Sequence, residues 1–314
     1  MRSLSTAATK VLGSARTDFA TLGVALAIYG CWIAATLLHG HIHPAALMAV
    51  GGWLVGWHGS LQHETIHGHP TPWPWVNRAL AFAPLNLWLP YDRYRQTHLA
   101  HHSTERLTEP GFDPESRYTA PGGGWTGAWR RGVARINATL AGRLLLGPLI
   151  EVATFLTAEL RACLVGQPDV RRAWAAHLVG VAGLVIWLHW VCHLSLAQYV
   201  VSFVYPGCAL SLLRSFAEHR ADPIAARRIA VVEKAPILGL LFLNNNLHAV
   251  HHAFPQAPWR RLPRLYAEHR SSLLDENGGL AYSGYGEVFR RYWLSPHDVV
   301  VHPVYAAEPA GAAS

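Results

Sequence analysis

Residues 19–67 read FATLGVALAIYGCWIAATLLHGHIHPAALMAVGGWLVGWHGSLQHETIH, a long apolar segment that ends in a histidine pair. No Lys, Arg, Asp or Glu occurs from Phe19 to Ser60, and the run is interrupted near its middle by the polar sequence HGHIHP. Each half has about 20 residues, which at about 1.5 Å per residue crosses a hydrocarbon layer of about 30 Å. The stretch therefore predicts a helical hairpin with membrane spans at about 19–38 and 44–62.

A second uncharged run extends from Ala173 to Leu213 and has a polar break around residues 193–195. Its length again suits two membrane-crossing helices, so it predicts a second hairpin with spans at about 173–193 and 196–213. The two runs together predict about four spans.

The basic residues are confined to three segments, which are residues 1–18, 61–172 and 214–314. Because loops rich in Lys and Arg stay in the cytoplasm, we place these segments and both termini there. The expected fold class is an all-α integral membrane protein, with two transmembrane helical hairpins and a cytoplasmic helical cap.

The composition supports a membrane protein, since 51% of the residues are hydrophobic and only 14% are charged. A soluble protein would have about a quarter of its residues charged. We expect a single domain over residues 1–302, followed by a disordered tail over 303–314 that has little to bury. No nucleic-acid partner is predicted.

Two segments between the hairpins are apolar without resembling spans. Residues 136–165 include four charged residues, which favour a helix lying in the membrane interface: Arg143, Glu151, Glu159 and Arg161. Residues 73–89 are rich in Trp and flanked by Pro, which predicts an interfacial loop or a short re-entrant helix. We find no convincing strand pattern in the sequence.

Three histidine clusters fall in the cytoplasmic segments: HETIH at 63–67, HLAHH at 98–102 and HAVHH at 248–252. On a helix, residues three and four positions apart share one face, so each cluster can present its imidazoles together. A further histidine follows the last predicted span. The nine candidate metal ligands are His63, His67, His98, His101, His102, His219, His248, His251 and His252.

Nine imidazoles exceed what one tetrahedral ion can use, so the clusters predict a dinuclear metal site. Iron is preferred to zinc or copper because oxygen activation in such a setting is its usual role, although the spacing does not fix the element. Ligating imidazoles usually donate their second nitrogen to a carboxylate or a carbonyl oxygen. The candidate carboxylates are Glu64, Glu105, Glu109, Asp113 and Glu218.

The order and spacing of the three clusters resemble the HxxxH, HxxHH and HxxHH boxes of the membrane fatty-acid desaturase and hydroxylase superfamily, over about residues 19–260. The resemblance implies a helical bundle whose cytoplasmic cap holds two iron ions, with O2 as co-substrate. It also implies ligand status for the eight box histidines and, by position, for His219. Some members use an Asn through a water molecule just before the third box, which here is Asn244 or Asn245.

The resemblance further implies a redox partner. Members with a fused cytochrome b5 domain contain an HPGG motif, which this sequence lacks. We therefore expect an external electron donor, such as ferredoxin, cytochrome b5 or a similar reductase system.

The most favoured function is desaturation of a fatty-acyl chain or lipid. An alternative is a hydroxylase or desaturase acting on a lipid headgroup, such as that of an ornithine lipid, or on an amino-acid-derived substrate. HETIHGHPT and WLPYDRYRQTHLAHH are similar to sequences of a bacterial branch with such activities, which also indicates a bacterial inner membrane. A non-catalytic metal transporter or sensor is disfavoured, because transporters bind ions near the bilayer midplane and these boxes lie outside the uncharged runs.

The other histidines are expected not to bind the metals. His39, His41 and His43 lie between the first two predicted spans, on the opposite side of the membrane from the boxes. His58 and His69 lie close to the first box, and we expect them to have packing or supporting roles.

Overall fold

The first two helices follow the first uncharged run. In the computed structural model, which describes residues 17–121 and 124–306, α1 covers Phe19–Leu37 and α2 covers Pro44–Ile66. The Asp18 carboxylate caps α1 by accepting the backbone N–H of Ala20 at 3.1 Å. A short 3-10 turn, His39–His41, joins the two helices.

The middle of the chain forms five further helices: α3 Pro74–Ala81, α4 Tyr91–Ser103, α5 Gly124–Asn137, α6 Leu140–Leu145 and α7 Gly147–Leu164. The expectation of one continuous helix over residues 136–165 is wrong, because the chain breaks after Asn137 and again at Leu146. Thr139 caps α6 by accepting the Gly142 N–H at 3.1 Å, and Pro148 suits the first turn of α7.

The second uncharged run also forms long helices. Helix α8, Pro168–Ile186, continues as a π-helical turn at Trp187–Val191. After a break, α9 covers Leu196–Tyr199, a second π-helical turn covers Val200–Val204, and α10 covers Tyr205–Glu218.

Three helices in the described part of the chain are long and apolar enough to cross a membrane: Phe19–Leu37, Pro168–Val191 and Leu196–Glu218. Helix α2 has 23 residues and is also long enough, but it contains the first histidine box and is less apolar. Most residues in its second half are buried, so α2 lies inside the bundle, where contact with protein replaces contact with lipid.

Small residues allow α2 and the 196–218 segment to pack closely. A Cβ atom on Gly51 would lie 2.4 Å from the Ser202 carbonyl oxygen, and one on Gly207 would lie 2.6 Å from Val55 Cβ. Such close backbone approach is typical of helix packing in membranes. The contact aligns the C-terminal ends of α2 and α10, and both ends carry predicted ligands.

The last part of the chain contains short helices and two strands: β1 Val231–Lys234, α11 Leu238–Leu241, α12 His248–Ala253, α13 Leu262–Glu276, β2 Ala281–Gly284 and α14 Tyr285–Tyr292. Residues 303–306 form a 3-10 turn, and residues 307–314 of the predicted tail lie outside the described residues.

The strands pair in parallel, with Val231 opposite Ala281. The expectation that no strand would form is therefore wrong. Each strand has only four residues, too few to show an alternating pattern, and its partner is distant in the sequence. The segment around β1 supports the third box, since the N–H of Ala249 donates to the carbonyl of Ala230, the residue before β1, at 3.2 Å.

Candidate metal centre

The nine predicted histidines come together in two groups, and they come from two helix ends, one short helix and one residue that follows a helix. Helix α2 ends with the first box, α4 ends with the second, α12 consists of the third, and His219 follows α10 directly. Within each group, one imidazole nitrogen of every member lies within 4.8 Å of those of the others. The first group is His63, His67, His98, His102 and His251, and the second is His101, His219, His248 and His252.

The second and third boxes are each divided between the two groups. His98 and His102 join the first group, whereas His101 joins the second. The third box is divided in the opposite sense, with His251 in the first group and its other two histidines in the second. On a helix, positions i and i+4 lie about 40° apart and position i+3 lies on the other side of i. Each HxxHH helix therefore faces both groups.

Two carboxylates fix the orientation of the second-box imidazoles. His98 Nδ1 donates to Glu115 Oε1 at 2.8 Å, and His101 Nδ1 donates to Asp113 Oδ1 at 2.9 Å. A carboxylate only accepts, so each Nδ1 carries a proton. In the neutral ring the lone pair is then on Nε2, which points into the group.

The hydrogen bonds of two imidazoles in the second group show what kind of ligand the group can bind. His219 Nδ1 donates to the Arg228 carbonyl at 3.2 Å, and His248 Nδ1 donates to Asn245 Oδ1 at 3.2 Å. Both neutral rings therefore have a lone pair on Nε2, yet these two Nε2 atoms lie only 2.9 Å apart. Two lone pairs repel at this distance, and a cation between them would remove the repulsion. The residues present fit a metal ion.

Each group also contains a buried nitrogen without a hydrogen-bond partner among the described residues. These atoms are Nε2 of His63 in the first group and Nε2 of His101 in the second. A buried polar atom without a partner is costly, and metal coordination is one way to satisfy it.

The electrostatics keep most of these rings neutral. Burial, together with the neighbouring imidazoles, lowers the pKa of His248, His251 and His252 well below the usual value. Burial opposes the charged form of His101, but the carboxylates of Glu115 and Asp113 outweigh it and raise the pKa of that imidazole. The same negative charge would stabilise a metal cation at His101 Nε2.

The predicted supporting residues have different positions. Asp113 contacts His101, while Asn245 contacts His248 and donates through Nδ2 to Glu218 Oε1 at 3.0 Å. Three other candidates bond elsewhere. Asn244 Nδ2 donates to the Trp259 carbonyl, and Glu64 accepts the Trp259 N–H. Glu109 pairs with Arg106 and Arg228.

Sequence reasoning missed Glu115 and the Arg228 carbonyl. Glu115 lies two residues after Asp113 in the same loop, so the sequence DPE contains the signal. No residue type in the sequence marks a backbone carbonyl as a partner of His219.

The remaining histidines lie outside both groups. His58 Nε2 contacts the Tyr29 hydroxyl at 3.2 Å, and His69 Nε2 contacts the Gln256 carbonyl at 3.0 Å. His39, His41 and His43 lie at the other end of α2, roughly 30 Å from the first box by helix length.

The fold and the site define a helical protein with apolar helices of membrane-spanning length and two histidine groups able to hold metal ions. A family model described as fatty acid desaturase matches residues 41–285, which include all nine histidines. The chain belongs to the fatty acid desaturase family. Membership implies oxidoreductase activity, and the family is known for binding iron. No individual curated protein matches the chain.

Proposed function

We propose that this protein is an oxygen-dependent di-iron desaturase acting on a fatty-acyl chain or lipid. The observation that carries the proposal is the second group, where the Nε2 lone pairs of His219 and His248 face each other at 2.9 Å. The first group also brings imidazole nitrogens close together, with five imidazoles, and this supports a second metal ion. Family membership supports iron as the element.

The two histidine groups would hold one iron ion each. When bound, the iron pair would supply the activation of O2 that is needed to attack an unactivated C–H bond. The protein holds the imidazoles in place through Glu115, Asp113, Asn245 and the Arg228 carbonyl. It also keeps bulk water away, since His98, His101, His248 and His251 are at most 2% exposed.

The proposed topology has four spans, formed by α1, α2, α8 and the 196–218 segment, with the site on the cytoplasmic side. The separation of the basic residues from the uncharged runs supports this orientation. Helix α7 would lie in the interface. Its Leu149, Leu160 and Leu164 are exposed, while Glu159 pairs with Arg93 of α4 at 2.7 Å.

The position of the site supports a substrate delivered from the bilayer. His63 and His67 lie at the end of α2, and His219 lies directly after a helix that can cross a membrane. An acyl chain in the membrane would reach the histidine groups without crossing water. Electrons would come from a separate protein, such as a ferredoxin or a cytochrome b5.

A second candidate is hydroxylation or desaturation of a lipid headgroup or of an amino-acid-derived substrate. A groove of about 340 Å³ beside α4 favours it, since Arg95 and Asp169 line it and provide charges of both signs. Leu99, within the second box, also lines this groove. A zwitterionic headgroup would find partners there.

Mass spectrometry of membranes tests the proposal. Lipid and small-molecule extracts are compared between cells that contain the protein and cells that contain His251→Ala at the same level. Loss of two hydrogens from an acyl chain supports desaturation of acyl lipids, whereas gain of one oxygen, or a changed headgroup, supports the second candidate. No difference between the two extracts would contradict both.

A further inference from the structure

The C-terminal segment returns to the loop that follows the second box. Residues 286–306 lie beyond the range that the family model matches. We call residues 297–302 the strap and residues 104–119 the carboxylate loop, since the latter contains Asp113 and Glu115. The Thr119 N–H donates to the Val300 carbonyl at 2.9 Å, and the His302 N–H donates to the Thr119 carbonyl at 3.1 Å.

Side chains strengthen this contact. The Tyr118 hydroxyl donates to Asp298 Oδ2 at 2.7 Å, and the same oxygen accepts the Ala221 N–H at 2.5 Å. Ala221 lies two residues after His219. Asp298 therefore joins the carboxylate loop to the segment that carries a predicted ligand of the second group.

His302 is the most deeply buried residue of the strap, with 0% exposure. Its Nδ1 accepts the Val304 N–H at 3.3 Å, so the ring proton lies on Nε2. That Nε2–H donates to Thr108 Oγ1 at 2.9 Å. The strap thus ends in a defined hydrogen bond to the carboxylate loop.

Thr108 has a strained backbone. Its φ is +65°, a left-handed value that β-branched residues rarely adopt and that persists only where the surroundings hold it. Its N–H donates to Asp113 Oδ2 at 2.7 Å, and its carbonyl accepts the Ser116 hydroxyl. The strained conformation directs the N–H at Asp113, and His302 holds the side chain of the same residue.

We propose that His302 is a positioning residue for the second histidine group. Its hydrogen bond keeps Thr108 in the left-handed conformation, Thr108 then holds Asp113 Oδ2, and Asp113 Oδ1 holds His101 Nδ1 at 2.9 Å. The strap therefore orients His101, a predicted metal ligand, although the strap and His101 are far apart in the sequence. This inference rests on the proposed metal-binding function.

The carboxylate loop has a second attachment, which allows the inference to be tested in a folded protein. Arg228 is 1% exposed, and its Nη1 donates to the Leu107 carbonyl at 2.6 Å and to Glu109 Oε1 at 3.0 Å. Loss of the His302 hydrogen bond should therefore loosen Thr108 and Asp113 while the rest of the loop stays attached.

The experiment titrates Fe²⁺ anaerobically into the metal-depleted full-length protein in detergent. The ligand-field spectrum monitors Fe²⁺ binding. His219→Ala identifies the signal of the second group. His302→Leu fills the space without a donor, and His302→Gln keeps an N–H near the position of Nε2. His297→Leu is the matched control, because His297 is buried in the same strap but bonds to the Tyr282 hydroxyl at 2.8 Å.

We expect His302→Leu to bind Fe²⁺ about tenfold more weakly at the second group. This is the low end of the loss in metal affinity that is usual when a residue supporting a metal ligand is replaced. His302→Gln should be close to the wild type. His297→Leu should lower the melting temperature without weakening that site.

Three results would overturn the inference: unchanged Fe²⁺ binding in His302→Leu, equal weakening in His302→Gln, or equal weakening in His297→Leu. A wild-type protein that binds fewer than two Fe²⁺ ions would instead contradict the proposed di-iron function. Two ions bound by both the wild type and His302→Leu with equal affinity would contradict only the role of the strap.

Discussion

His101 and Asp113 are joined by a 2.9 Å hydrogen bond between two side chains that are each only 1% exposed. Asp113 also accepts the N–H of Thr108 through its second oxygen. An aspartate accepts at both oxygens, whereas an asparagine has one accepting and one donating end. The pair is therefore a point where a small chemical change should affect metal binding.

Replacing Asp113 with Asn should lower the metal affinity of the second group by about 10- to 100-fold, as is usual for partners of metal ligands. Whichever way the amide turns, its NH2 group meets a donor, either His101 Nδ1–H or Thr108 N–H. Metal content after dialysis measures the effect. Asp92→Asn is the control, because Asp92 lies on α4 in an exposed pair with Arg78. Full retention of metal in Asp113→Asn would count against the assignment.

The purified protein should contain about two iron atoms per chain. Two groups of five and four imidazoles each offer enough nitrogen ligands for one ion, and a single ion would leave one group's lone pairs in mutual repulsion. Elemental analysis of protein prepared with iron in excess checks this number. One zinc and no iron would show that the site is of another kind.

His251→Ala should abolish turnover while leaving membrane insertion unchanged. The residue is buried in the first group, with Nε2 at 3.1 Å from His102 Nε2, so its loss removes one of the five nitrogen donors of that group. His41→Ala should keep both properties, because His41 is exposed at the far end of α2. Product formation and membrane fractionation measure the two effects. Near-normal turnover in His251→Ala would refute the ligand assignment.

Cysteine probes at His41 and Ser195 should react with a membrane-impermeant reagent added to intact cells, and one at Ser271 should not. All three positions are exposed, so accessibility depends on the side of the membrane. Cys31 and Cys163 are replaced beforehand, because neither is fully buried. Labelling of Ser271→Cys from outside would contradict the proposed orientation, because residue 271 would then lie outside the cell.

Gly207→Ala should destabilise the protein by roughly 1–3 kcal/mol, the usual cost of overpacking. The added methyl group would lie 2.6 Å from Val55 Cβ, so α2 and α10 would have to separate. Gly23→Ala is the matched control, because no atom lies within 4 Å of a Cβ at that position. Thermal unfolding in detergent compares the two. Equal melting temperatures would show that the close contact is not important for stability.

Much of the fold could be predicted because its signals are local. The long helices follow from uncharged runs of sufficient length, and the candidate ligands follow from histidines at helical spacing. The first helix, for example, was expected at about 19–38 and covers Phe19–Leu37.

The rest depends on tertiary contacts that leave little trace in the sequence. Which of His98 and His101 joins which group depends on how α4 is rotated relative to α12. The choice of Asn245 over Asn244 depends on a turn in which Asn244 has a φ of +58°. The strands and the strap join residues far apart in the chain, where no local pattern could reveal their pairing.

The opposite division of the two HxxHH boxes affects the order of events during biosynthesis. Neither group is complete before the third box has been synthesised, because the first group ends with His251 and the second with His252 in a chain of 314 residues. A ribosome-bound chain that has released only the first two boxes has four of the five histidines of the first group but only one of the four histidines of the second. Insertion of metal into both groups is therefore expected late, after the four long helices have been synthesised.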